Sequence, residues 1–212
     1  MTQTIDAAAF QQMVIHAAAA ISAQKQHIND LNVFPVPDGD TGTNMSLTIS
    51  AAAAELKKKQ CATVGEAAQT AASALLRGAR GNSGVILSLL FRGIAKSLKD
   101  RETIDGRDLA IALDFGVAAA YNAVMKPAEG TILTVSRLAA AQAAAAARED
   151  NAAESVLEAA LREGQDALAD NITQNPVLQQ AGLVDAAGQG FQVTLQGLLA
   201  STRREPMHQV GE

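Results

Sequence analysis

The chain holds a single cysteine, Cys61, among 212 residues, and no tryptophan. One thiol excludes an internal disulfide and a thiolate metal cluster, and no histidine stands near it to suggest a nucleophile. Cys61 is expected to be a buried small hydrophobe. No segment approaches the roughly 20 apolar residues that cross a bilayer, and the start Met1-Thr2-Gln3-Thr4-Ile5-Asp6 lacks the basic and apolar parts of a secretory signal, so a soluble, cytoplasmic protein is expected. Positive charge is not in excess either. A net charge of −5 and a pI near 5.2 argue against a nucleic-acid partner, which calls for concentrated Lys and Arg. The short run Lys57-Lys58-Lys59 reads as a solvated helix end, where cations suit the dipole.

Aromatic residues make up 3% of the chain, while 48% of it is hydrophobic and mainly alanine. Helices can then approach closely, but each buried position contributes little area. The length suffices for one substantial core, and no Pro/Gly/Ser linker divides it. Apolar positions recur at helical spacing, as in Phe10, Met13, Val14, Ala17 and Ile21, and alternating strand patterns are almost absent. The chain is expected to be all-α, with helices over about 4–26, 44–59, 64–78, 83–99, 106–125, 131–148, 152–170 and 185–202. Thr63 with Glu66, and Asn151 with Glu154, have the spacing of capping boxes. The alanine run 139–147 continues a helical pattern, and its small residues suit a close-packed face. One domain over 1–202 is expected, followed by a polar tail or linker start over 203–212.

Four loops carry unusual turn chemistry. In Asn32-Val33-Phe34-Pro35-Val36-Pro37-Asp38-Gly39-Asp40, two carboxylates flank a glycine behind a proline-stiffened approach. A pair of this kind suits Mg²⁺, which takes oxygen ligands and keeps waters and substrate phosphates in its shell. Thr41-Gly42-Thr43-Asn44 follows at once and opens a helix, so hydroxyls and free N–H groups lie beside the carboxylates. A second loop, Arg77-Gly78-Ala79-Arg80-Gly81-Asn82-Ser83-Gly84, repeats this pattern with Arg77 or Arg80 able to offset phosphoryl charge, but without the lysine spacing of a Walker site. Glu129-Gly130-Thr131 and Asp185-Ala186-Ala187-Gly188-Gln189-Gly190 are two further helix entrances. An α-barrel with these N-termini at one rim would focus four helix dipoles on an anion. His16, His27 and His208 have no metal-ligand spacing and are read as structural or surface residues.

The segments 32–45, 77–87 and 129–135 resemble the nucleotide-binding domain shared by dihydroxyacetone kinases and bacterial fatty-acid kinases, and are more similar to the fatty-acid branch. The resemblance covers about residues 5–202. It implies an eight-helix antiparallel barrel binding ATP or ADP and two Mg²⁺ at its rim. Asp38 and Asp40 match the metal-binding aspartates, with Asn32 or Asp30 in place of a third. Thr41, Gly42, Thr43, Asn44, Asn82, Ser83 and Gly84 match phosphate contacts, and Thr131, Asp185 and Gly188 match rim positions near the nucleotide. Arg80 is the candidate for charge stabilisation. Ala187 stands where that pattern usually has glycine.

The function implied is phosphoryl transfer from ATP to a fatty acid held by a separate carrier protein, with further kinase domains or subunits as partners and a homodimer left open. Two alternatives stand beside it: the nucleotide-binding subunit of a dihydroxyacetone kinase, and a non-catalytic lipid-binding scaffold with an apolar interior.

Overall fold

A computed structural model describes residues 1–127 and 131–207 of the chain; Glu129, Gly130 and His208 lie outside them. Among the described residues every regular element is a helix: α1 (Ala7–Asp30), α2 (Thr41–Lys58), α3 (Val64–Gly78), α4 (Gly81–Ser97), α5 (Gly106–Ala123), α6 (Ile132–Glu149), α7 (Ala153–Gln174), α8 (Pro176–Ala181) and α9 (Ala186–Thr202). The expected all-α class holds.

Each long helix packs on its sequence neighbours, α7 packs on α9, and α9 returns to α1, so eight long helices close a ring. Short connections make successive helices antiparallel. The starts of α1, α3, α5 and α7 meet at one end, where Ile5 pairs with Ile104, Gly65 N–H donates to Arg101, Gly106 N–H to Asn151 and Ala153 N–H to Gln3. The starts of α2, α4, α6 and α9 therefore share the other end.

The wall is thin because small residues let backbones touch. A Cβ on Gly197 of α9 would sit 2.5 Å from Ala17 Cα of α1, and one on Gly116 of α5 would sit 2.6 Å from the Leu90 carbonyl of α4. Ala139, Ala140, Ala143 and Ala147 give α6 a buried small-residue face. Met13, Met45, Ile49, Leu87 and Leu157 fill the interior, and the cavity between α4, α5, α6 and α9 is only about 20 Å³. That space is close to a single water's requirement, well below that of an acyl chain.

Three sequence expectations need correction. Asn151 and Glu154 do not form a capping box: the N-cap of α7 is Ala152, Asn151 instead accepts from Arg107 N–H and donates to Asp105, and Glu154 accepts from Thr2 N–H and pairs with Arg203. Tertiary partners at the closing end outcompeted the local motif. The expected helices leave 171–184 outside any element, yet α8 forms there, with Asn175 as its cap and Pro176 in its first turn, where proline is tolerated. Cys61 is half-buried against the core edge, and burial first, then the Glu66 carboxylate, pushes its thiol pKa up.

Candidate functional site

Two asparagines organise the acidic loop, Asn29 in the last turn of α1 and Asn32 just beyond its C-cap Leu31. Asn32 is buried; its Oδ1 accepts from Asp40 N–H at 3.0 Å and Thr41 N–H at 3.1 Å, while its Nδ2 donates to the Val36 carbonyl at 3.0 Å. Asn29 accepts from Thr43 N–H and donates to Thr43 Oγ1, both at 3.0 Å. The start of α2 is thereby capped by Asn29 of α1 and by Asn32 of the connection rather than by its own N-cap residue, Asp40. Gly39 turns the loop at φ +68°, a conformation that favours glycine. On either side of it Asp38 and Asp40 are exposed, and neither carboxylate has a hydrogen bond or ion pair among the described residues.

Thr48 joins α2 to α4. Its hydroxyl donates to the Asn44 carbonyl at 2.7 Å and accepts from Arg80 N–H at 3.1 Å, and Gly84 closes over it with no room for a Cβ. Gly81, at φ +66°, fits under Asn44 in the same way. The start of α4 has no side-chain cap, and the N–H groups of Gly81, Asn82 and Ser83 have no acceptor among the described residues.

The other two entrances on this rim are occupied. Thr131 caps α6 by accepting from Leu133 N–H at 3.3 Å. Asp185, 4% exposed, caps α9 through Gly188 N–H at 2.8 Å and also accepts from Ile132 N–H. Burial pushes the Asp185 carboxyl up to about 6, against those two backbone hydrogen bonds, which favour its charged form.

These elements surround a cavity of about 430 Å³, within the range of small-ligand pockets. Of the residues read from sequence, Asn32, Asp38, Asp40, Thr41, Asn44, Asn82, Ser83, Thr131 and Asp185 line it. Gly42, Thr43, Gly84, Gly188 and Arg80 do not. Gly42 lies buried against the Lys25 carbonyl of α1, Gly84 against Thr48, and Gly188 against Leu168 and Val135, so these glycines serve helix contact. Thr43 is engaged by Asn29, and the Arg80 side chain is exposed, reaching only the Ala79 carbonyl.

Lys126 was not singled out from sequence, yet it lines the pocket, with Phe34, Val36, Ile86, Val124 and Leu133 as an apolar wall. A cation in a connection between two rim elements was the available signal. The four helix starts do share one rim, as expected, but they differ in how many N–H groups they leave over. The N–H groups at α2, α6 and α9 are largely consumed by Asn29, Asn32, Thr131 and Asp185, and α4 alone stays open.

The cation chemistry fits in part. No group of three or more His, Cys, Asp or Glu side chains able to hold a metal occurs among the described residues. Two unpaired carboxylates suit a hard cation that completes its shell with water and phosphate oxygens. Both lone-pair positions of the Asn32 oxygen are already used, which removes it as a ready ligand.

Comparison with known proteins places these features in a family. The DAK2 domain matches residues 35–200. Protein YloV of Bacillus subtilis is 41% identical over 207 residues, covering 98% of this chain and 37% of its own length. An uncharacterized protein of Staphylococcus saprophyticus is 42% identical over 205 residues, covering 97% and 37%. This chain thus spans little more than a third of these relatives. In the crystal structure of the dihydroxyacetone kinase from C. freundii in complex with AMP-PNP and Mg²⁺, a similar fold covers 95% of this chain and 35% of that one, with a TM-score of 0.71 at 20% identity.

Proposed function

Since the chain belongs to the DAK2 domain family, we propose that it is the nucleotide-binding part of a kinase that transfers the γ-phosphoryl group of ATP to a fatty-acid carboxylate presented by a carrier protein. The observation that carries this reading is the rim pocket, where the unpaired carboxylates of Asp38 and Asp40 share one cavity with the uncapped start of α4. A helix N-terminus with free N–H groups receives anionic oxygen. Gly81, Asn82 and Ser83 would take the phosphates, and the apolar wall around Phe34 and Ile86 would take the base.

Asp38 and Asp40 would hold Mg²⁺, a hard cation that completes its shell with water and phosphate oxygens. When bound, the ion neutralises phosphate charge. The AMP-PNP and Mg²⁺ named for the structurally similar dihydroxyacetone kinase support this ligand pair. In the transfer, a carboxylate oxygen of the acyl chain bonds to the γ-phosphorus as the bond to the β–γ bridging oxygen breaks, giving acyl phosphate and ADP. No proton moves, so no general base is required. The chain's contribution is positioning and charge complementarity. Asn32 and Asn29 hold the aspartate loop, and Lys126 supplies a cation at the pocket wall.

The fatty-acid branch is favoured by the Val33-to-Pro37 approach. Dihydroxyacetone as acceptor is the second reading, favoured by the likeness of fold to that kinase. A lipid scaffold is disfavoured by the filled interior. Cytoplasmic residence and dependence on further domains belong to the same proposal, and so does a boundary near residue 202.

Calorimetric titration with ATP, with and without Mg²⁺, on the wild-type chain and on Asp38→Ala/Asp40→Ala tests the site. Mg²⁺-dependent binding that survives the double substitution sinks it. ADP release on adding acyl-loaded carrier, rather than dihydroxyacetone, tests the acceptor.

A further inference from the structure

Asp185 stands apart from the other rim acids. Asp38 and Asp40 are exposed on a loop, whereas Asp185 is 4% exposed. Its carboxylate takes one N–H from each of two helix starts, Ile132 of α6 and Gly188 of α9. It therefore ties together two elements that are far apart in sequence, and the tie lies in the wall of the rim cavity, with Thr131, Ile132 and Ala187 beside it.

We propose that Asp185 is a positioning residue for the nucleotide: its carboxylate straps α6 to α9 and, being a buried anion in the wall of an anion's pocket, makes nucleotide binding proton-linked. This rests on the nucleotide reading above and extends it to regulation by pH.

The surroundings favour such a linkage. Among the described residues, the titratable side chains sharing the cavity are Asp38 and Asp40 from the α1–α2 loop and Lys126 after α5. The first turns of α6 and α9 carry no charged side chain, and neither does α8. On α7, which sets Leu168 against Gly188, Asp166 and Asp170 are exposed. Among the described residues Asp185 thus has two backbone donors and no ion pair to offset its charge. Burial already raises its pKa to about 6, and a polyphosphate seated beside it would disfavour the ionised form further. Binding would then draw a proton onto Asp185, and affinity would rise as pH falls through this range.

The test uses the 212-residue chain with AMP-PNP and Mg²⁺ as probe, titrated from pH 5.5 to 7.5, on wild type, Asp185→Asn and Asp185→Ala. The nucleotide itself titrates near this range, so the informative quantity is the difference between wild type and the Asn variant. Wild-type affinity is expected to fall several-fold more steeply with rising pH than that of Asp185→Asn, which keeps an acceptor oxygen without the charge. Asp185→Ala is expected to bind about tenfold more weakly at every pH, because two N–H groups lose their acceptor, with Asn restoring most of the loss. Calorimetry in buffers of different ionisation enthalpy should record proton uptake for wild type and less for Asn. Equal pH profiles for wild type and Asn, or unimpaired binding by Ala, overturn the strap and leave the nucleotide site standing. No nucleotide binding by wild type overturns both.

Discussion

At one end of the barrel α1, α3, α5 and α7 begin, and nearly every donor there is tied off. Asp6 caps α1, Thr63 caps α3 and Asp105 caps α5, and backbone bonds such as Ile5 to Ile104 link the segments between them. At the other end α2, α4, α6 and α9 begin, and there polar groups are left over: the Asp38 and Asp40 carboxylates and the first-turn N–H groups of α4. The two ends are built from the same helices and the same thin alanine wall. Satisfaction of polar groups thus separates the end that closes the fold from the end that receives a ligand. Substitutions should divide accordingly, the rim changing binding with little effect on stability and the closing end doing the reverse.

The largest separation is expected from Asp38→Ala/Asp40→Ala. Mg²⁺-dependent nucleotide affinity should fall by a factor of about 100, roughly 3 kcal/mol, while the midpoint of thermal unfolding stays level, because neither carboxylate has a partner among the described residues. A large drop in that midpoint would refute the division of roles. Gly65→Ala should give the opposite pattern. A Cβ there would lie 2.7 Å from the Leu98 carbonyl and 2.9 Å from Asp100 N, an overpacked contact costing about 2 kcal/mol. Unchanged nucleotide affinity in the surviving folded protein is the matching readout.

Asn32→Ala should fall between the two ends. It removes three hydrogen bonds from a buried site and costs about 1.5 kcal/mol of stability. Because it frees the aspartate loop, the Mg²⁺ concentration for half-maximal nucleotide binding should rise about tenfold, in line with other residues that orient metal ligands. If Asn32→Asp, which keeps the oxygen acceptors, tightens metal binding beyond wild type, direct ligation regains its place.

This comparison also explains what could be read from sequence. Helical spacing and alanine content pointed to the class, and eight long helices were placed to within a few residues, because local periodicity and caps such as Thr63 report on local structure. The acidic loop was legible because Asp38-Gly39-Asp40 and the helix start at Thr41 are contiguous. Pairings across the barrel were not. Asn29 from α1 and Asn32 from the turn after it cap α2, Thr48 holds Arg80 from another helix, and Asp185 reaches Ile132. None of these leaves a trace in local spacing. The resemblance puts Gly42 and Gly84 among phosphate contacts and Gly188 at the nucleotide rim, but the neighbour that approaches each of them is another helix.

The smallest expected effect concerns Asp105, on the closing end. Its side chain accepts from Asp108 N–H at 3.0 Å and from Asn151 Nδ2 at 2.8 Å, and Asp105 N–H in turn donates to the Asp108 carboxylate. Hydrogen bonding, led by the Asp108 backbone, holds the Asp105 carboxyl below its ordinary range. Asp105→Ala should cost about 1 kcal/mol, as for other N-caps. A depressed folded-state pKa means that this stability is present above the unfolded value of about 4 and is lost as pH falls through the lower folded value. The gap in unfolding midpoint between wild type and Asp105→Ala should therefore be constant from pH 5 to 7 and shrink below about pH 4. A gap unchanged under acid would show that the charge of Asp105 contributes nothing to the cap. Nucleotide affinity should be indifferent to the substitution at neutral pH, and any loss there would mean that the two ends of the barrel communicate through the helices they share.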